Sequence, residues 1–500
     1  MKATVKIDIR KRLGAISRNI YGQFMEHLDD CIYPSVWDDS SPQSDETGLR
    51  QDVVEALRQL SVPVVRWPGG CFADIYHWED GIGPRGSRPV RRNWNWGGLE
   101  SNQFGTDEFI RWCRHIGAEP YINVNLGSGT LVEALRWIDY CNGTLDSQDV
   151  LSRKANGQSE PYGVKYWGIG NETWSSWEVG QMDADTYART LKNWLHFIQQ
   201  NEPDAELFAV GSSGGRDSVW DRKVLEAAGN QFHYLTTHLY AYSVDREHGK
   251  EYYPVVFSPV YFKQSLEQML KTIDECELRT DRCVKLAMDE WNIRHFVQVG
   301  DHNYRLLRHS PRNLQDALFA AGILNMMIQL SPRIGMANYV FLINSNGVIN
   351  VSASQIVKTP LFYVFQQYAR WMQGAAVESA AAGPECVAPL PQLNHPLRRS
   401  HYPAKKVGYL DTAAALHDDG TLVVSLINRH QSEDMDVKLV LPEGYTAKEQ
   451  WTLHHSYIYA ANDTANPDQV TPVTERFQEP RETIACPAHS VLLVRCTRIG

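Results

Sequence analysis

From Asn19 to Asn344 the chain alternates short apolar runs with longer amphipathic stretches. The runs Asn19–His27, Pro63–Pro68, Tyr121–Leu126, Val164–Asn171, Leu207–Gly211, Phe232–Tyr240, Val284–Trp291 and Ile334–Ile343 are rich in Val, Ile and Tyr and read as strands. Between and after them, Gln51–Leu60, Thr106–Ile116, Leu131–Cys141, Ala184–Gln200, Val219–Ala228, Tyr261–Cys276, Leu314–Leu330 and Pro360–Gln373 read as helices. Thr106 is placed to cap the second of these, with Asp107 and Glu108 at its positive end. Pro203 stops the fourth. Eight βα units in succession predict an α/β fold, a (β/α)8 TIM barrel over residues 19–373, rather than an open doubly wound sheet.

Beyond Gln373 the rhythm changes. Residues 374–406 are rich in Ala, Pro and Gly and read as a linker or covering loop. Residues 407–500 carry strand-like runs, Ala413–His417, Thr421–Asn428, Val437–Leu441, Glu449–His454 and Ser490–Arg495, parted by polar turns. That pattern predicts a C-terminal antiparallel β-sandwich. In residues 1–18, Val5, Ile7 and Ile9 alternate with polar residues, so this segment is expected to add a strand to that sandwich.

Charge narrows the partners. A net charge of −10 without a basic stripe argues against nucleic acid. No run approaches the length of a membrane span. The basic residues Lys2, Lys6, Arg10, Lys11 and Arg12 precede no apolar stretch, so they do not form a secretory signal. Nine cysteines, an odd number without CxxC spacing, read as free thiols in a reducing cytoplasm.

In a barrel of this kind the active site lies at the C-terminal strand ends. Those ends carry Glu26-His27, Arg66 to Cys71, Asn123 and Asn125, Asn171-Glu172, His238 with Tyr240, Asp289-Glu290-Trp291-Asn292, and Asn344. Glu172 and Glu290 close strands four and seven. Glycosidic cleavage needs such a pair: one carboxyl protonated to give its proton to the leaving oxygen, the other ionised to attack the anomeric carbon. Unequal surroundings let one residue type fill both roles. Arg66 and Tyr240 are candidates to hold Glu290 ionised. Fifteen tryptophans, among them Trp67, Trp78, Trp94, Trp96, Trp174, Trp177 and Trp291 near the expected mouth, suit flat sugar faces, the alternative for each being core packing.

Four motifs then make a resemblance specific. Tyr166-Trp167-Gly168-Ile169-Gly170-Asn171-Glu172 resembles the acid/base motif of the α-L-arabinofuranosidases of glycoside hydrolase family 51. Met288-Asp289-Glu290-Trp291-Asn292 resembles their nucleophile motif. Ile20 to His27 and Arg66 to Phe72, followed by His77 to Pro84, match the first and second strand motifs. The resemblance implies a retaining, exo-acting enzyme that releases terminal arabinofuranosyl groups from arabinan, arabinoxylan or their oligosaccharides. It implies Glu172 as acid/base and Glu290 as nucleophile. Glu26 and Asn171 would bind the furanose hydroxyls, Cys71 would line the same subsite, and His238 and Tyr240 would flank the pair. Arg66, Trp96, Trp174, Trp291 and Arg294 are expected to support the site. No metal and no organic cofactor is implied, and the assembly implied is a homohexamer.

The sequence departs from the family at Thr173-Trp174-Ser175-Ser176-Trp177, where a glycine-rich stretch is common. Arg294 stands where an aromatic is common, the strand-eight loop Ser345 to Ile349 lacks the usual lead-in, and Thr359 replaces a sugar-binding Gln of some members. Another furanoside, a galactofuranoside or D-arabinofuranoside, is the alternative substrate. A catalytically silent carbohydrate-binding protein is the alternative class, and both carboxylates argue against it. Gly81 to Gly86 spells GxGxxG without a helix behind it, and Gly211 to Gly215 spells GxSxG outside a hydrolase elbow; for a metal-dependent barrel enzyme, His77 with Glu79 or His238 with Glu290 are the candidate ligands, without HExxH or a closely spaced His/Asp cluster.

Overall fold

In the computed structural model, which describes residues 1–243, 252–276, 283–300, 303–388 and 405–498, eight parallel strands close into a barrel. After an N-terminal strand β1 (Lys2–Ala15), the barrel strands are β2 (Gly22–Phe24), β3 (Val64–Trp67), β4 (Glu119–Val124), β5 (Tyr166–Ile169), β6 (Glu206–Ala209), β7 (Tyr234–Ser243) and β8 (Lys285–Gly300). A short strand β9 (Asn303–Leu307) folds back on β8, and β10 (Ile334–Val340) completes the barrel by pairing with β8 and β2. The (β/α)8 barrel expected from the alternation is therefore present.

Val64, Tyr121, Tyr166, Phe208, Tyr234, Ala287 and Met336 come from the strand starts and form one buried cluster inside the barrel. Phe208 stacks between Tyr121 and Tyr234, with centroids 4.4 and 4.3 Å away. This layer fills the N-terminal end, so a cavity can open only at the other end. Strands β7 and β8 run on past the rim. Their register pairs Glu290 with His238, Asn292 with Tyr240 and Arg294 with Tyr242, which lines up three inward side chains on each strand.

Eight further strands join β1 in a nine-stranded sheet: β11 (Ala375–Ala382), β12 (Leu410–Leu416), β13 (Leu422–Asn428), β14 (Met435–Val440), β15 (Tyr445–Leu453), β16 (Val473–Arg481), β17 (Thr483–Cys486) and β18 (Ser490–Arg498). Their order is β16-β15-β18-β13-β12-β11-β1-β14-β17, antiparallel except where β1 runs parallel to β14. All nine strands contribute to one apolar core, so the sheet folds over on itself as a sandwich does. Residues 374–406, read as a linker, instead contain β11 and two shorter strands, Glu385–Val387 and Lys406–Gly408; residues 389–404 lie outside the described residues. Strands β16 and β17 were not foreseen.

Strand β13 is buried on both faces. Leu422, Val424 and Leu426 enter the sheet's own core, while Val423 and Ile427 join the core shared with the barrel. The helix Leu314–Gln329 fills the space between sheet and barrel, which is why its sequence is apolar all round. Thr106 does not cap its helix. Gly105 holds that position, its N–H donating to Glu108 at 2.9 Å, and the Thr106 hydroxyl accepts the Trp137 indole at 3.0 Å.

Candidate active site

A cavity of about 580 Å³ opens over the C-terminal ends of the barrel strands. Its deep wall carries Glu26, Gly70, Cys71, Glu172, Tyr240 and Glu290, and Asn171 lies just behind them. One oxygen of Glu172, one of Glu290 and a ring nitrogen of His238 lie within 4.8 Å of one another. Carboxylates this close suit a direct attack on a sugar, since a gap for an interposed water would set them roughly 6.5–9.5 Å apart.

Glu290 sits on β8 with its carboxylate held on both oxygens. Arg66, from the end of β3, donates to Oε1 at 2.7 Å, and the Tyr240 hydroxyl donates to Oε2 at 2.5 Å. Arg66 also donates to Asn171 Oδ1 at 2.8 Å and faces Asp289 at 3.4 Å. Burial alone would raise the pKa of Glu290, but the charges of His238 and Arg66 and the Tyr240 hydrogen bond outweigh it and hold the carboxylate below its usual range. The neighbouring Gly70 is required by space: a Cβ there would stand 2.8 Å from Glu290 Oε1.

Glu172 follows β5 in the left-handed backbone region, with φ of 40°. A non-glycine residue there costs about 1–3 kcal/mol and persists only where its surroundings fix it. Two side chains do so: His238 Nδ1 lies 2.7 Å from Oε1, and the Trp177 indole N–H donates to Oε2 at 3.0 Å. His238 places its other nitrogen 3.3 Å from Asp289, which also accepts from the Tyr121 hydroxyl at 3.0 Å. Burial would lower the pKa of this ring, yet the charges of Glu290 and Glu172 raise it to about 10. His238 thus bridges Glu172 and Asp289 through its two ring nitrogens.

Around the pair is a ring of further acids. Glu26 accepts the backbone N–H groups of Gly70 and Phe72 through one oxygen, at 3.0 and 2.9 Å, and burial pushes it up to about 7. Glu178 was absent from the sequence reading. It receives Cys71 Sγ at 2.9 Å and the Asn171 amide at 3.1 Å, and burial, with the charges of Glu172, Asp74 and Glu290, pushes it up to about 9. A third acidic residue six positions after Asn171-Glu172 was the available signal. Two groups among the described residues are close enough to hold a cation, Cys71–Glu172–Glu178 and Glu172–His238–Glu290. In the second, Arg66 and Tyr240 already hold both oxygens of Glu290.

The tryptophans divide. Trp94, Trp96, Trp174 and Trp177 line the cavity. Trp67, Trp78 and Trp291 are buried in the core. Trp291, expected at the site, packs on Phe319, Tyr339 and Phe365, because residues adjacent along a strand point to opposite faces and Glu290 points inward. Thr359 is also away from the cavity, its hydroxyl donating to the Val348 carbonyl at 2.6 Å. Arg294 is in the cavity wall, its guanidinium 3.7 Å from the centroid of the Tyr240 ring. Ser213 of the GxSxG string donates to the His238 carbonyl at 2.9 Å. All nine cysteines are free, and among the described residues no helix is long and apolar enough to cross a membrane.

A carboxylate pair at the strand ends of a (β/α)8 barrel, in an aromatic-walled cavity, is the construction of a glycoside hydrolase. Comparison with known proteins agrees. Residues 56–253 match the family profile described as the α-L-arabinofuranosidase 1 domain, and residues 289–490 match the α-L-arabinofuranosidase C-terminal domain. The chain is 34% identical to α-L-arabinofuranosidase C of Emericella nidulans over 88% of this chain and 87% of that one. It is 27% identical to the intracellular exo-α-(1→5)-L-arabinofuranosidase 1 of Bacillus subtilis, over 92% of each. The solved family 51 α-L-arabinofuranosidase of Thermotoga petrophila superposes with a TM-score of 0.87 at 34% identity, covering 99% of this chain and 100% of that one. The chain belongs to glycoside hydrolase family 51, the α-L-arabinofuranosidases, a family whose glycosidases retain anomeric configuration.

Proposed function

We propose that the protein releases terminal α-L-arabinofuranosyl residues from arabinan and arabinoxylan oligosaccharides, with Glu290 as nucleophile and Glu172 as acid/base. The observation that carries this reading is the pair's asymmetry: two carboxylates within 4.8 Å, one held by a guanidinium and a phenol, the other by a histidine ring and an exposed indole.

In the first step Glu290 attacks the anomeric carbon while Glu172 gives its proton to the glycosidic oxygen. The carbon–oxygen bond breaks, the aglycone leaves as an alcohol, and the arabinosyl group is esterified to Glu290. In the second step Glu172, now a carboxylate, takes a proton from water, whose oxygen attacks the same carbon. The ester bond breaks, the sugar leaves with its original configuration, and both groups return to their starting states. Glu26, anchored through one oxygen, offers the other to a sugar hydroxyl, and Asn171, fixed between Arg66 and Glu178, offers a second contact beside Cys71. Holding these groups in place lowers the barrier by removing their reorganisation. None of these steps calls on a metal or an organic cofactor.

The test is hydrolysis of p-nitrophenyl α-L-arabinofuranoside and of arabino-oligosaccharides, followed by NMR of the first-formed sugar. The α anomer should appear first; β product, or no turnover of any arabinofuranoside, overturns the reading. The free thiols and the Bacillus relative's name support a cytoplasmic location, and the family resemblance supports a homohexamer, which light scattering would check.

A further inference from the structure

The outer part of the cavity carries two arginines, one on β8 and one in the turn that follows β9. Arg294 lies four residues beyond Glu290 on β8, so its side chain leaves the strand on the same face, about 13 Å further from the barrel. With a terminal sugar seated against the deep wall of Glu26, Glu172 and Glu290, its leaving group would extend toward this outer part of the cavity. The register of β8 with β9 pairs His295 with Leu307 and Phe296 with Leu306; extended by one step it sets Arg294 opposite Arg308. Both line the cavity.

Like charges opposite each other on one sheet face repel. Arg308 has Asp29 at 3.7 Å. Among the described residues Arg294 has no carboxylate at ion-pair distance, and the acidic charges it feels are the more remote Glu172 and Glu290. Each guanidinium lies against an aromatic ring, Arg294 on Tyr240 at 3.7 Å and Arg308 on Trp96 at 4.7 Å. Such contacts hold a guanidinium by its flat face; of the N–H groups at its edge, Arg294 commits one to the Tyr242 hydroxyl and Arg308 directs one at Asp29, and the others remain to donate. A planar fork held this way matches a carboxylate in two parallel hydrogen bonds. The chain as a whole carries a net charge of −10, so any preference for an anion must be local.

We propose that Arg294 and Arg308 form an anion-binding subsite for the leaving group, selecting arabinofuranosides attached to a uronic acid over those attached to a neutral sugar. This rests on the reading of Glu172 and Glu290 as the cleaving pair.

The experiment uses the full chain and a matched pair, α-L-arabinofuranosyl-galacturonic acid and α-L-arabinofuranosyl-galactose, with the p-nitrophenyl arabinofuranoside as reference. The native protein should show kcat/KM about 10-fold or more higher for the acid at low salt, an advantage that shrinks as ionic strength rises. Arg294→Gln and Arg308→Gln should each bring the ratio toward one. The ratio cancels any loss common to both substrates, including impaired folding. A native ratio of one or less, or a ratio unchanged in either variant, overturns the proposal. Failure of the native protein on the aryl reference as well would instead remove the underlying assignment of the catalytic pair.

Discussion

Glu172 and Glu290 are the same residue type at the ends of two strands of one barrel, and their surroundings could hardly differ more. Glu290 stands within β8, at a break in that strand's register with its neighbours, buried in the cavity wall with Arg66 and Tyr240 on its two oxygens. Glu172 stands where the backbone leaves β5 with positive φ, its carboxylate shared between His238 and the indole of Trp177, a residue 63% exposed. A nucleophile must be ionised and stationary. A proton carrier must meet solvent and the leaving group. The difference teaches that chemical role here is assigned by environment rather than by residue identity.

Substitutions can break this contrast. Glu290→Ala should have the largest effect, a loss of ~10⁴-fold or more in kcat on every arabinofuranoside, with azide restoring turnover and giving a glycosyl azide of inverted configuration. Glu172→Ala should lower kcat about 10²–10⁴-fold on a disaccharide while largely sparing an aryl glycoside with a good leaving group; equal losses on both would mean that Glu172 is not the proton donor. Tyr240→Phe removes one hydrogen bond to a buried charge and should cost about 10–100-fold in kcat/KM, with the acid limb of the pH profile moving up because Glu290 loses a donor that holds its pKa low.

The smallest effect sharpens the contrast by stability. Glu178 is pushed up to about 9 by burial, so the folded chain keeps a proton that the unfolded chain releases near the ordinary glutamate value. Its contribution to stability is therefore present below that ordinary value and is lost as pH rises toward 9. Glu178→Gln keeps the shape without the titration. Thermal melts should show the variant gaining on the native protein between pH 5 and pH 9, and parallel curves would refute the buried-acid assignment.

Much of this was legible in the chain. Periodicity alone predicts eight βα units, and strand ends carrying Asn171-Glu172 and Asp289-Glu290 locate the carboxylate pair. What escaped did so for identifiable reasons. Ala375–Ala382 is five-eighths alanine by sequence, a residue with little strand preference, and pairs with β1 only through tertiary context. In β16 only Phe477 is buried, so no apolar alternation announces a strand. Glu178 sits in a polar, Trp-containing segment that reads as a solvated loop; packing against Cys71 and Asn171 buries it. Trp291 needed no structure, since the alternation that points Glu290 inward sends its neighbour outward.

The pairing of β1 has a consequence for biosynthesis. Lys2 lies beside Asp436 in the finished sheet, and the other neighbour of β1 begins at Ala375. At translation rates of about 5–20 residues per second, β1 waits roughly 20–90 s for its last partner. During that interval it is a nascent edge that could recruit a neighbouring chain on the same polysome. Lys2, Lys6, Arg10, Lys11 and Arg12 against the single acid Asp8 leave it with a net charge of +4, and mutual repulsion between copies is a simple guard against that error.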